Sequence, residues 1–345
     1  MASTESRHPY YPLMDAMRYV LAICIIVSHF FTLNNYGSPL TLVSYYFVAG
    51  FFAIAGFVVY PTFERSDSLL KYIRRRARHI LPPYFFIVLI CAVGFAFISS
   101  LSLREYFTSP ELYKYLAANL TFLNWLHPSL PGVFDTPQFA TDSVNPSLWT
   151  MKVDWCLYLS VPLVFGIIRR LRLNRIWVVI SLIIFSILYR LGFVMLYIET
   201  QKEIYDILAR QFFGQMAYFY SGMLIYFYRK EIEKRLSILT IAAGILFILA
   251  ITVIPFGNIV VCPAALSMLI LGISLIKSTD SRWRHRYNFS FEMYLFRAPV
   301  IQLAIFFGIG SLPRWQNFAI IFLATIIVSI LYKYAFLYLK SLKKA

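Results

Sequence analysis

The sequence predicts an all-α protein: a polytopic integral membrane bundle of about ten transmembrane helices, built as a single domain over 1–345 with both termini cytoplasmic. Three observations carry this. Hydrophobic residues make up 60% of the 345 positions, mean hydropathy is +0.68 and only 14% of residues are charged, where soluble domains carry about a quarter. Apolar windows of about 18 to 23 residues, enough to cross a bilayer, recur at 14–33, 40–60, 80–100, 146–168, 176–197, 211–229, 237–254, 258–276, 289–309 and 316–338. With Arg229, at the edge of the sixth window, counted in the loop that follows it, 22 of the 32 Lys and Arg fall before the first window or after even-numbered ones, and 5 after odd-numbered ones. The positive-inside rule then places the richer side in the cytoplasm, and missing one window would scramble the alternation.

The formal charge of +16 does not point to nucleic acid. The basic residues form short clusters between apolar runs, without a reading element or an aromatic-interleaved stripe. Cys24, Cys91, Cys156 and Cys262 all sit in apolar runs with no paired spacing, so they read as small buried hydrophobes, and neither a disulfide framework nor a metal is predicted. The N-terminus MASTESRHPYYPLMDAMRYV is polar, and no A-x-A-like site follows the first apolar run, which is therefore expected to remain as a span. No internal repeat is visible.

Ionisable residues at membrane depth are costly and default to function. The first window holds Asp15, Arg18 and His29. At about 100° per residue, Arg18 and His29 fall within about 20° of one face, with Asp15 about 40° from His29, and the axial step from Arg18 to His29 is about 16 Å. A basic site near the cytoplasm and an imidazole deep in the membrane suit a long substrate, anionic at one end and reactive at the other, the shape of an acyl-coenzyme A. His29 is then the candidate general base, because imidazole titrates close to working pH.

Before the third window, KYIRRRARHILPPYFF sets Arg74, Arg75, Arg76, Arg78 and His79 at the cytoplasmic boundary. Those guanidinium groups either follow from topology alone or bind donor phosphates, and the Pro82-Pro83 step fixes their direction. The long connection 101–145, aromatic and proline-containing, is expected to be functional or partly helical. The fourth window contributes Lys152 and Asp154. Asp154 lies at a depth similar to His29, either orienting that imidazole or holding an acceptor hydroxyl. Lys152, about 200° away around the helix, is expected to snorkel outward, and Arg190 and Lys333, near window ends, to anchor at the interface. In the ninth window Glu292 and Arg297 are five apart, a poor intrahelical pair, and Arg297 is expected to meet an anionic ligand or an interhelical carboxylate.

Five segments, in order, resemble the acyltransferase family 3 membrane proteins: DAMRYVLAICIIVSHF, FFAIAGFVVY, RRRARHILPPY, LWTMKVDWCLYL and SFEMYLFRAPV. They are similar to the family's Asp-x-x-Arg start with Arg-x10-His, its Phe- and Gly-containing segment, its basic motif before Pro-Tyr, its Trp-[Ser/Thr]-Leu-x-Val-Glu helix and its Ser-Tyr-x-x-Tyr-Leu-x-His run. The resemblance implies a membrane O-acetyltransferase of the bacterial inner membrane, with acyl-CoA, acetyl-CoA expected, as donor co-substrate and a sugar, polysaccharide or lipid-linked glycan as acceptor. It implies His29, Asp154 and Arg18 as catalytic residues, Arg18, Arg75, Arg76, Arg78 and Arg297 as donor-binding residues, and Trp149, Tyr158 and Asp15 as further substrate contacts. Asp154 stands where the family has Glu, and Arg297 where it has His. The chain ends at LKSLKKA, so no fused esterase-like domain is expected and the protein acts alone or with a separate protein partner. The competing readings are a carrier or flippase for a sugar or lipid, whose mark would be discontinuous spans, and an inactive scaffold relative.

Overall fold

In the computed structural model, which describes residues 11–38, 40–276 and 288–342, every predicted apolar window contains helix. Six helices are long and apolar enough to cross a membrane: α1 (Pro12–Leu33), α2 (Leu40–Glu64), α3 (Leu69–Gly94), α6 (Leu148–Leu171), α7 (Arg175–Thr200) and α15 (Arg314–Leu342). The other four windows hold shorter helices, α9 (Phe212–Phe227), α11 (Leu236–Thr252), α13 (Cys262–Ser274) and α14 (Ser290–Phe306). Connections contribute α4 (Leu103–Thr108), α5 (Pro110–Leu120), α8 (Glu203–Ala209), α10 (Arg229–Glu233) and α12 (Gly257–Val260). No strand occurs among the described residues. Of the basic residues that set the orientation, Arg7, Lys277, Arg282, Arg284, Arg286, Lys343 and Lys344 lie outside them.

Two boundaries differ from the sequence reading. The third helix begins eleven residues earlier than the predicted 80, because the Ser68 side chain accepts from the Lys71 N–H and caps it. The arginine cluster therefore rides on the first turns of α3. The helix runs on through Pro82 and Pro83, which remove the N–H partners of the Arg78 and His79 carbonyls without ending it. The window 258–276 is divided at Val261 into α12 and α13, just ahead of Pro263.

α1, α2, α9, α13 and α14 form the centre, with α3 and α6 on one flank and α7, α11 and α15 outside. In the apolar windows of α7 and α15 only 17% is buried, and their outward faces carry Ile184, Phe185, Leu188, Leu323, Ile327 and Leu331, a surface suited to lipid. Lipid tails give no hydrophobic drive to helix association, so close packing has to hold the centre. At the α2–α9 crossing two glycines meet the opposing backbone. A Cβ on Gly56 would sit 1.8 Å from the Phe219 carbonyl oxygen, and one on Gly222 would sit 2.0 Å from that of Ala53.

The 101–145 connection is partly helical and docked. Ser102 and Glu105 form a reciprocal capping box on α4, and Ser109 caps α5 ahead of Pro110. The Tyr84 hydroxyl donates to the Asn119 carbonyl at 2.6 Å and the Tyr106 hydroxyl to the Ala92 carbonyl at 2.8 Å. Both bonds pin the loop onto the end of α3.

Candidate active site

On the basic face, the first turns of α3 and the last part of α15 enclose a vestibule of about 820 Å³ lined by Arg74, Arg75, Arg76, Arg78, His79 and Lys333. Helical spacing brings the cations together, with Arg74 and Arg78 four apart and Arg75 beside His79. Arg76 and His79 also line the next space inward, about 190 Å³, where they face Arg18 of α1, Asp154 and Tyr158 of α6, and Asn288 and Ser290 at the start of α14. The guanidinium of Arg76 lies 5.0 Å above the Tyr158 ring and 5.9 Å from that of Tyr72. The Tyr72 hydroxyl donates to the Tyr158 carbonyl at 2.9 Å. Arg18 is tied to Asp15 at 2.7 Å, and Asn288 donates to the same carboxylate oxygen at 3.1 Å.

Asp154, Phe51 and Phe291 line this space and also a third, of about 40 Å³, completed by Thr150, Met151 and Tyr294. Thr150 and Tyr294 share a hydrogen bond of 2.8 Å between their hydroxyls. Thr150, Asp154 and Tyr158 follow at four-residue steps, so one face of α6 delivers a polar group to the track about every 6 Å. The series narrows from a vestibule to a volume for a few waters.

His29 stands beside this track rather than on it. The charge that bears on its imidazole is that of Arg297, whose guanidinium lies 3.9 Å above the Tyr294 ring and donates to the Tyr294 carbonyl. The charge that bears on Asp154 is that of Arg76, across the cavity that both line. Among the described residues, the buried polar atoms without a hydrogen-bond partner include Nδ1 of His29, Oδ1 of Asp154, and Nε of Arg76 and of Arg297.

The structure thus gathers Arg18, Arg76, Asp154 and Tyr158 around one cavity and sets Arg75 and Arg78 at its mouth. His29 and Arg297 line none of these three spaces. Asp15 is engaged by Arg18 and Asn288 and does not line the cavity. Trp149 faces a different space, about 200 Å³ beneath the 101–145 loop, with Asn119, Asn124, Trp125, Ser143 and Asn145.

Two expectations are corrected and a third is narrowed. Arg190 does not snorkel: it turns inward, donating to the Tyr45 hydroxyl at 2.7 Å with its guanidinium 4.4 Å from that ring. Lys333 is not a lipid anchor, because it pairs with Glu292 of α14 at 2.6 Å. Arg297 makes no ion pair among the described residues and rests on Tyr294. Thr150, Tyr294 and His79 join the site without having been singled out as site residues, although the four-residue step from Thr150 to Asp154 is visible in the sequence.

No solved structure matches the chain. A curated relative named "O-acetyl transferase", from Shigella phage Sf6, is 22% identical over 309 residues, covering 84% of this chain and 85% of that protein. "Acyltransferase MdmB" from Streptomyces mycarofaciens is 25% identical over 176 residues, 48% of this chain and 42% of that protein. The family model described as "Acyltransferase domain" matches residues 11–334, from the residue before α1 to within α15. With its five motifs carried on one helical bundle and matched nearly end to end, the chain belongs to acyltransferase family 3 and is an enzyme of acyl transfer.

Proposed function

We propose that the protein is a membrane O-acetyltransferase of ten spans in a bacterial inner membrane, both termini cytoplasmic, moving an acetyl group from cytoplasmic acetyl-CoA to a hydroxyl of a sugar, polysaccharide or lipid-linked glycan. The observation that carries this reading is the run of cavities from the arginine vestibule, past Arg76 and Asp154, to the Thr150–Tyr294 pair.

Guanidinium groups grip phosphates through forked, charge-assisted hydrogen bonds. Arg74, Arg75, Arg76 and Arg78 at the mouth suit the anionic end of CoA. The narrower space beyond suits its slender arm, with Arg18 alongside and the thioester arriving at Asp154. The acceptor oxygen then bonds to the thioester carbonyl carbon while His29 takes its proton. The carbon–sulfur bond breaks, and the thiolate leaves and collects that proton as a thiol. The unpartnered imidazole nitrogen of His29 supports its part as the base, and Asp154, with an unpaired oxygen at the junction of two cavities, holds the acceptor hydroxyl. The printed name of the phage relative supports both the acetyl group and the oxygen acceptor. Four helices of 13 to 17 residues, one in each remaining apolar window, support the reading of ten spans.

The test is transfer of radiolabelled acetyl groups from acetyl-CoA to a panel of glycans by purified protein in nanodiscs. His29→Ala is expected to lower the rate by about 100-fold or more. Wild-type transfer in that variant would remove His29 from the chemistry. Failure of CoA to stabilise the protein thermally, together with no labelled product, would remove the donor assignment.

A further inference from the structure

We infer that the cavity beneath the 101–145 loop is the binding subsite for the acceptor's sugar ring, with Asn124 recognising its hydroxyls. This rests on the acyl-transfer reading above and adds where the acceptor is held and by which groups.

The cavity, about 200 Å³, is lined by side-chain amides, a serine and two tryptophans, and no acidic or basic residue reaches it. That lining disfavours a phosphate, a metal or a charged peptide and favours a neutral polyol. The three asparagines differ in what their amides already do. Asn119 donates to the carbonyls of Tyr115 and His127, at 2.8 and 3.0 Å. Asn145 donates to the Leu295 carbonyl at 3.0 Å and accepts from the Ser147 N–H at 3.1 Å. Those two amides hold the walls.

Asn124 is only 6% exposed, yet neither its Nδ2 nor its Oδ1 has a partner among the described residues. Burying an unsatisfied amide is costly unless something completes it. A pair of neighbouring hydroxyls does so in full, because each hydroxyl can both donate and accept. Trp125 on the exposed rim and Trp149 on α6 supply apolar faces for the C–H side of a pyranose.

The position fits the transfer. Trp149 is one residue from Thr150, and the Asn145 amide is bonded to Leu295, one residue from Tyr294. The first turn of α6 and this hydrogen bond thus tie the lining of the cavity to the Thr150–Tyr294 pair. A ring seated here approaches from the loop side, opposite the arginine vestibule.

The experiment is saturation-transfer NMR on the full chain in nanodiscs with methyl β-D-glucopyranoside, methyl α-L-rhamnopyranoside and methyl N-acetyl-β-D-glucosaminide, with 1-propanol as a hydroxyl lacking a ring. At least one glycoside is expected to saturate on one face of its ring. Asn124→Leu removes both hydrogen-bonding atoms at similar volume, and should weaken that glycoside about tenfold while the thermal shift caused by CoA stays unchanged. Should that variant unfold, Trp125→Leu on the rim carries the same expectation. The subsite is overturned if no glycoside saturates, or if Asn124→Leu melts and binds as wild type does. Glycoside binding lost in Asn124→Leu, with no acetyl transferred to any glycan, would instead overturn the acyl-transfer reading and leave the subsite in place.

Discussion

Arg76 joins the vestibule to the cavity behind it. It lines both, stacks over Tyr158 and carries the charge that faces Asp154. Lysine cannot reproduce a planar fork that stacks on a ring, so Arg76→Lys is expected to raise the KM for acyl-CoA about tenfold with a smaller effect on kcat, read from initial rates over a donor titration. A second residue-scale test concerns Lys333. Breaking a buried pair strands a charge, at a cost of about 3 kcal/mol, so Glu292→Gln should lower the unfolding free energy by that order. Glu292→Gln combined with Lys333→Met should recover most of it in chemical denaturation. Residue types were legible from the sequence because a charge inside an apolar window announces itself. Their partners were not. Which way Arg190 and Lys333 point depends on how each helix is rotated against its neighbours, and no single window encodes that, so both were read as interface anchors when they turn inward. His29 and Arg18 were singled out by their common face on α1, yet only Arg18 lines the cavity, because helix rise and face do not say where a neighbouring helix leaves space.

Among the elements, the α2–α9 crossing concentrates the tightest packing. Gly222→Val puts a branched side chain where even a Cβ meets the Ala53 backbone. It should destabilise the bundle by about 1–3 kcal/mol, or prevent assembly, as seen in detergent unfolding and size-exclusion profiles. The capping box on α4 makes a different prediction. The Glu105 carboxylate is held below its usual range by hydrogen bonds from the Ser102 hydroxyl and backbone N–H. A depressed folded value means that its contribution is complete above the unfolded value and is lost as pH falls through the folded one. Proteolysis of the loop should therefore quicken on acidification in the wild type, and Glu105→Gln should flatten that dependence. The start of α3 was misjudged from sequence because a run of arginines before two prolines reads as a boundary, whereas Ser68 opens a helix that carries the cluster inside it.

At the scale of the whole molecule, ten apolar windows each became helix because length and hydropathy are local properties of the chain. Order around the bundle was not local and was not legible: α1 and α14, far apart in sequence, pack together at its centre. The proposed orientation is open to a direct check. In a background lacking the four native cysteines, a membrane-impermeant maleimide applied to intact spheroplasts should label Ser102→Cys and spare Ser68→Cys, both at exposed positions. The reverse pattern would invert the topology. One feature of the track reaches beyond chemistry. An enzyme that takes its donor on one side of a bilayer and its acceptor on the other spans two compartments at different electrical potential, so its interior must also act as insulation. Of the three spaces along the proposed track, the one of about 40 Å³ beside the Thr150–Tyr294 hydrogen bond is the smallest, so on the proposed reading that is where the protein would have to seal against ions and free coenzyme between turnovers.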